Sequence, residues 1–141
     1  MDMRRTVEFL GRVPLLAPLS QEQLEHIGQV VIERKVGVGE TLCREGDPGD
    51  ELIVIVAGRA KAERQGTKVG VFAPSDFFGE LALLDRAPRS ATVTALTDMQ
   101  VLALPGEDFG KLVEASPGLA QLLLAVSAGR IRDLRDATLE G

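Results

Sequence analysis

The feature that most constrains this chain is a series of short apolar segments between Val36 and Leu104, separated by turn-forming residues. Gly, Pro and Asp recur at short intervals between segments that have the composition of β-strands. Many short strands with regular turn signals indicate an all-β sandwich, roll or barrel. The clearest of these segments cover residues 52–56, 68–72, 91–95 and 100–104.

Helical patterns flank the β-rich region on both sides. Ser20 and Gln23 fit a capping box, in which each side chain satisfies a backbone N–H at the start of a helix. Ser116 before Pro117 is a second start signal, because proline is tolerated in the first helical turn. A length of 141 residues favours a single domain. The predicted order is therefore helices, β-core, helices.

Composition excludes several kinds of site. The chain has one Cys and one His, too few for an intramolecular disulfide, a zinc finger or a multi-histidine metal centre. A net charge of −5 argues against a large nucleic-acid footprint, since phosphate backbones need a basic excess. No apolar stretch approaches the ~18 residues of a membrane span, and residues 1–10 contain no signal-peptide core. We therefore expect a cytoplasmic location.

The segment over residues 77–93 carries the chemistry. Gly79 lets the backbone turn, and residues 80–84 suit one helical turn, whose unpaired N–H groups attract an anion. Arg89 can hold a phosphate with two parallel hydrogen bonds. The Glu80 carboxylate makes sense if the ligand also presents sugar hydroxyls. A cyclic nucleotide meets this description, because its phosphate is bridged onto its own ribose.

The same segment closely resembles the phosphate-binding cassette of the cyclic nucleotide-binding domain family. The resemblance rests on Phe-Gly-Glu-Leu-Ala-Leu-Leu at 78–84 and Pro-Arg-Ser-Ala-Thr-Val at 88–93. Upstream, Gly39, Gly46 and Gly58 are similar to the structural glycines of that family's β-roll. The likeness covers about residues 9–135.

The resemblance implies a mainly β fold, a double-stranded β-helix or jelly-roll-like β-roll with a short cassette helix and flanking helices. We predict a single cyclic nucleotide-binding domain over 1–141. Its parts are N-terminal helices over 1–35, the β-roll over 36–104 and C-terminal helices over 105–141. Ser75 departs from the family, many members of which have Gly there, and we expect this change to alter only a turn.

The resemblance also implies the ligand contacts. Glu80 would accept from the ribose 2′-OH, and Arg89 would pair with the exocyclic phosphate oxygens. Backbone N–H groups at Gly79, Leu81 and Ala82 would complete the cradle, with Ser90 donating to the phosphate. Because members selective for cyclic GMP often have Thr at that last position, Ser90 favours cyclic AMP.

A regulatory output would follow from ligand capture. Leu83 and Leu84 are expected to repack against a C-terminal helix, and that helix is also a candidate dimer contact. An unidentified effector protein or domain would receive the signal, with no DNA binding by this chain alone and no membrane. Arg130, Arg132 and Arg135 are the candidates for reading the base, against the alternative of solvated helix charges.

Other interpretations stay open at this point. The chain could be a ligand-free β-roll that acts as a protein-interaction or structural module. Metal-dependent jelly-roll enzymes need two or three His, and a hydrolytic nucleophile would have only His26 as a base, so we predict no enzyme, no metal and no cofactor. Cys43 is a packing residue or a redox sensor. The last sequence feature is a basic cluster, interpreted as a solvated hairpin face or a partner surface: Arg59, Lys61, Arg64 and Lys68.

Overall fold

Two four-stranded antiparallel sheets, flanked by helices, form the molecule. The computed structural model describes residues 1–79, 88–122 and 124–125. The strand order is β1-β8-β3-β6 in the first sheet and β2-β7-β4-β5 in the second. Between them, the two sheets confirm the predicted β-roll. The helices are α1 (Met3–Gly11), a 3₁₀ turn (Pro14–Leu16), α2 (Gln21–Val30) and α3 (Gly106–Ala115); the strands are β1 (Ile32–Val36), β2 (Thr41–Cys43), β3 (Glu51–Ala57), β4 (Ala60–Arg64), β5 (Thr67–Phe72), β6 (Phe77–Phe78), β7 (Thr92–Ala95) and β8 (Met99–Pro105).

The predicted capping box at the start of α2 is confirmed. The backbone N–H of Gln23 donates to Ser20 Oγ at 3.2 Å. In return, the Ser20 N–H donates to Gln23 Oε1 at 2.9 Å. Leu24 and Ile27 on the following turns are buried. The N-terminal helices therefore present an apolar face to the first sheet.

The predicted boundaries between helices and roll were wrong by one residue at Pro105, which belongs to β8, and by more at the first boundary. Residues 32–35, included in the helical range 1–35, belong to β1, which pairs with β8. β1 is an edge strand whose side chains are mostly exposed, and three of its five residues are charged. Because an exposed edge strand needs no alternating apolar pattern, the local sequence carried no strand signal. Pairing with β8 decides its structure.

The first sheet separates two apolar cores, because alternate residues of a strand point to opposite faces. Leu102 and Leu104 on β8 join the core under the helices. Val101 and Ala103 on the same strand join the core between the two sheets. We call these the helix-side core and the inter-sheet core.

The C-terminal part of the described chain is helical, as predicted. After α3, Ser116 has extended backbone, and residues 117–122 are again helical. Ser116 is buried, and its Oγ accepts from the Leu119 N–H at 3.2 Å. The predicted cassette helix and the arginines at 130, 132 and 135 lie outside the described residues. In the part of the chain that the structure describes, no helix has the length and apolar character to cross a membrane.

Candidate ligand-binding site

The backbone of Arg89 is held by the loop that precedes β3. The Arg89 N–H donates to the Asp47 carbonyl at 2.8 Å, and the Arg89 carbonyl accepts from the Gly46 N–H at 2.9 Å. Pro48 and Pro88 form an antiparallel bridge beside this pair. Gly46 has φ of +87°, a conformation that favours glycine. The C-terminal end of the cassette, at Arg89, is thus anchored to a turn more than forty residues earlier in the sequence.

The Arg89 side chain is buried, and among the described residues only one of its two terminal nitrogens has a hydrogen-bond partner. Only 8% of the residue is exposed. Nη2 donates to the Glu51 carbonyl at 3.1 Å. Nη1 is buried, and no atom of the described residues accepts a hydrogen bond from it. A buried charged donor without an acceptor is costly, so this geometry indicates a place for an anion.

Gly79 makes room for this guanidinium. Its φ is +103°, in the region that side chains other than glycine rarely adopt. A Cβ at this position would overlap Arg89 Nη1 and lie 2.6 Å from the Glu51 carbonyl oxygen. The glycine is therefore required both by its backbone conformation and by the close approach of Arg89. Two residues of the predicted site, ten positions apart, come together here.

The remaining predicted site residues divide into two groups. Ser90 follows Arg89 directly and is exposed. Glu80, Leu81 and Ala82 lie outside the described residues, as do Leu83 and Leu84. Their contacts with a ligand stay predictions.

The structure adds two residues that the sequence did not single out. Glu51 at the start of β3 holds Arg89 through its carbonyl, and its carboxylate pairs with Arg34 of β1. Arg34 Nη1 donates to Oε1 at 2.5 Å and Nη2 donates to Oε2 at 3.1 Å, a bidentate geometry. The hydrogen bonds to Glu51 raise the pKa of Arg34 against the opposing effect of its partial burial. A backbone carbonyl has no side-chain signature, and the paired residues are 17 positions apart, so no local pattern revealed them.

The turns of the roll follow the glycine pattern. Gly39, Gly46 and Gly58 all have positive φ, at +85°, +87° and +90°, which confirms their predicted structural role. Ser75 also has a positive φ, +71°, where many family members have Gly. Its N–H donates to the Ile55 carbonyl at 2.8 Å, so the turn still docks onto β3.

Cys43 lies at the edge of the inter-sheet core, near Arg89. The residue is half-buried and packs against that core. Its Sγ donates to the Ala91 carbonyl at 3.6 Å. Burial raises the pKa of the thiol, and the positive charge of Arg89 opposes that rise. These contacts fit the packing role better than a reactive thiol.

The basic cluster on the β4–β5 hairpin is largely solvated. Arg59, Arg64 and Lys68 are exposed. Lys61 pairs with Glu63 at 2.6 Å on the same strand. This distribution fits a solvated hairpin face.

Comparison with known proteins places the chain in a family. The model of the cyclic nucleotide-binding domain matches residues 33–116. A cyclic nucleotide-gated potassium channel of Mesorhizobium japonicum is 36% identical over 122 residues, covering 86% of this chain and 34% of the channel. A cAMP-dependent protein kinase regulatory subunit of Aspergillus niger is 39% identical over 113 residues, covering 78% of this chain and 28% of that protein.

A solved structure matches over nearly its whole length. It is the N-terminal domain of a transcriptional regulator from Streptomyces coelicolor A3(2), 40% identical, with a TM-score of 0.69. The match covers 92% of this chain and 93% of that domain. By contrast, the chain spans about a third or less of the length of the channel and the kinase subunit. With the roll, the turn glycines and the buried Arg89 in place, these matches show that the chain belongs to the cyclic nucleotide-binding domain family.

Proposed function

We propose that this chain is a regulatory module that binds a cyclic nucleotide, with cyclic AMP preferred over cyclic GMP. The observation that carries the proposal is the buried Arg89 guanidinium, whose Nη1 has no acceptor among the described residues. Family membership supports the ligand class. The kinase regulatory subunit of Aspergillus niger is cAMP-dependent by name, which supports cyclic AMP.

The charge balance at Arg89 explains why an anion would bind there. Nη2 is tethered to a neutral carbonyl, so the positive charge of the guanidinium has no described counterion at hydrogen-bond distance. A phosphate oxygen at Nη1 would supply both a charge and an acceptor in a site from which water is largely excluded. Charge-assisted hydrogen bonds of this type are about twice as strong as neutral ones. A net charge of −5 for the whole chain does not oppose this, since one buried arginine acts at short range.

The other contacts follow the predicted cassette. Glu80 would accept from the ribose 2′-OH, and the N–H groups of Gly79, Leu81 and Ala82 would line the phosphate. Ser90 is exposed beside Arg89, a position consistent with donation to the same phosphate. Its side chain is Ser rather than Thr, which supports the preference for cyclic AMP.

The role of the module is binding rather than catalysis. The relatives are named as a channel and a regulatory subunit, and in both the matched part is a minority of the protein. We therefore place the effector in another segment or another chain, with ligand binding shifting a pre-existing equilibrium. We propose that the C-terminal helix transmits the signal and forms any homodimer contact. The proposed location of the protein is the cytoplasm.

Calorimetric titration with cyclic AMP and cyclic GMP tests the proposal. Wild type should bind cyclic AMP more tightly than cyclic GMP. Arg89→Ala should lose about 2–5 kcal/mol of binding free energy, the loss typical of removing one partner of a buried charged pair. Arg89→Lys should recover only part of it, because a single ammonium lacks the two-pronged geometry of the guanidinium.

The matched control is Arg64→Ala, which removes an exposed arginine from β4 and should leave affinity unchanged. Wild-type protein that binds neither nucleotide at millimolar concentration would contradict the proposal. That result would favour the ligand-free interaction module. Equal affinity in wild type and Arg89→Ala would instead reject the assignment of the site.

A further inference from the structure

We infer that Arg34 keeps the anion site open by sequestering the carboxylate of Glu51, so that Arg89 Nη1 stays free for the ligand. The expected consequence is that cyclic nucleotide affinity depends on a residue of the edge strand β1. This consequence rests on the proposed function. It makes Arg34 a positioning residue that acts through Glu51 and touches no ligand.

Strand register brings the pair to one place. Arg34 lies opposite Val101 on β8, and Glu51 lies opposite Pro105 on the same strand. Because those two β8 residues are an even number of positions apart, Arg34 and Glu51 project from the same face of the first sheet. The ion pair therefore crosses β8 and links two strands that do not pair with each other.

Glu51 contacts both arginines, Arg89 through its backbone and Arg34 through its side chain. Its own carbonyl accepts from Arg89 Nη2 at 3.1 Å. Its carboxylate, a few bonds away, is held at both oxygens by Arg34 at 2.5 and 3.1 Å. The Glu51 side chain is 22% exposed and that of Arg34 is 44% exposed, so the carboxylate is the more enclosed partner.

An unpaired Glu51 carboxylate would have one obvious alternative. A partly buried carboxylate is most stable when it is paired with a cation. Arg89 Nη1 is a buried cationic donor with no described acceptor. Pairing between them would fill the place of a phosphate oxygen, and even without pairing the negative charge would oppose an anionic ligand. Arg34 prevents both outcomes by holding the carboxylate.

This mechanism predicts an asymmetric set of variants. Arg34→Gln, which frees the carboxylate, should weaken cyclic AMP binding about tenfold, as expected for an uncompensated charge beside a charged ligand. Glu51→Gln removes the competing charge and keeps the carbonyl, so it should lose clearly less affinity than Arg34→Gln. The double variant Arg34→Gln/Glu51→Gln should recover the affinity of Glu51→Gln. An ion pair with only a structural role predicts instead that both single variants lose alike and that the double variant is not rescued.

A ligand-free measurement tests the sequestration by itself. The Nε–Hε resonance of Arg89 in a ¹H–¹⁵N NMR spectrum, assigned through its loss in Arg89→Lys, should shift in Arg34→Gln and return in the double variant. Lys61→Gln is the matched control, because it breaks the 2.6 Å pair with Glu63 on β4 and should move neither this resonance nor the affinity.

The two measurements separate the possible failures. If wild type binds cyclic AMP while Arg34→Gln shows neither the shift nor the loss of affinity, the inference is overturned and the proposed function stands. If wild type binds no cyclic nucleotide but the Arg89 resonance shifts and returns as described, the proposed function fails and the sequestration of Glu51 is supported. Loss of affinity without rescue in the double variant would also overturn the inference.

Discussion

The two apolar cores on either side of the first sheet differ in the size of their side chains. The helix-side core contains Leu, Ile, Val and Phe, and among its described buried members there is no alanine. The inter-sheet core has four alanines among its ten buried residues, and partly buried apolar residues pack against both cores. Those packed against the inter-sheet core are Val36, Leu42, Cys43, Val69, Phe72 and Ala91.

The difference shows which of the two cores contributes more to the stability of the fold. Large side chains that are fully buried contribute about 1.5–3 kcal/mol each to folding, so the helix-side core supports the molecule. The alanines of the inter-sheet core bury less apolar area per residue and therefore contribute less. Cys43 packs against the inter-sheet core, and its Sγ lies 3.6 Å from the carbonyl oxygen of Ala91, two residues after Arg89. We therefore expect changes in the first region to act on stability and changes near the second to act on binding.

The largest expected effect breaks the helix-side core. Ile27 on α2 is fully buried, so Ile27→Ala should reduce the free energy of unfolding by about 2–5 kcal/mol through lost burial and a residual cavity. Urea unfolding followed by circular dichroism measures this loss. The cyclic AMP affinity of the folded protein, measured by titration at low temperature, should stay within about threefold.

The matched control for that variant lies on the same helix. His26 is exposed, and His26→Ala should change stability by no more than about 0.5 kcal/mol. A tenfold loss of affinity in Ile27→Ala, without a comparable loss in the control, would contradict the division of roles between the two regions.

An intermediate effect is expected at the site itself. In Gly79→Ala, the new Cβ would overlap Arg89 Nη1, and the positive φ would be strained by about 1–2 kcal/mol. The guanidinium must move away from the Glu51 carbonyl, so cyclic AMP binding should fall by about ten- to a hundredfold, in keeping with a lost charge-assisted contact. Titration measures the affinity and urea unfolding measures the accompanying loss of stability.

Gly66→Ala separates strain from displacement of Arg89. Gly66 has φ of +79° in the β4–β5 turn, but a Cβ there would meet nothing within 4 Å. This variant should lose similar stability and keep its affinity. If the two variants bound cyclic AMP equally well, the close approach of Gly79 to Arg89 would not contribute to cyclic AMP affinity.

The smallest expected effect is a gain in stability. The left-handed backbone of Ser75, at φ of +71°, costs about 1–2 kcal/mol of strain. Glycine would remove this strain at an entropic cost of roughly 0.5–1 kcal/mol. Ser75→Gly should therefore stabilise the fold by about 0.5 kcal/mol, seen as a small rise in the urea midpoint, with affinity unchanged. Ser75→Ala keeps the Cβ and should show no such gain. A lower midpoint for the glycine variant would mean that the serine side chain stabilises the turn.

Much of the fold could be predicted from local signals. The capping box at Ser20, the break before Pro117 and the turn glycines each act over a few residues, and each is found where the pattern indicated. The edge strand β1 could not be predicted in this way. Its five residues have no apolar alternation, and only pairing with β8, more than sixty residues later, makes them a strand.

The candidate site also has features that local sequence predicts and features that only long-range strand pairing decides. The sequence by itself determined the chemical groups, a glycine and an arginine at cassette spacing, because a phosphate needs a cation and a backbone that can approach it closely. Only the tertiary structure decided that Arg89 is buried, that a carbonyl of β3 holds one of its nitrogens, and that Arg34 holds the neighbouring carboxylate. The physical reason is that burial and backbone acceptors depend on which strands meet, and strand pairing across dozens of residues leaves no mark in a short segment of sequence.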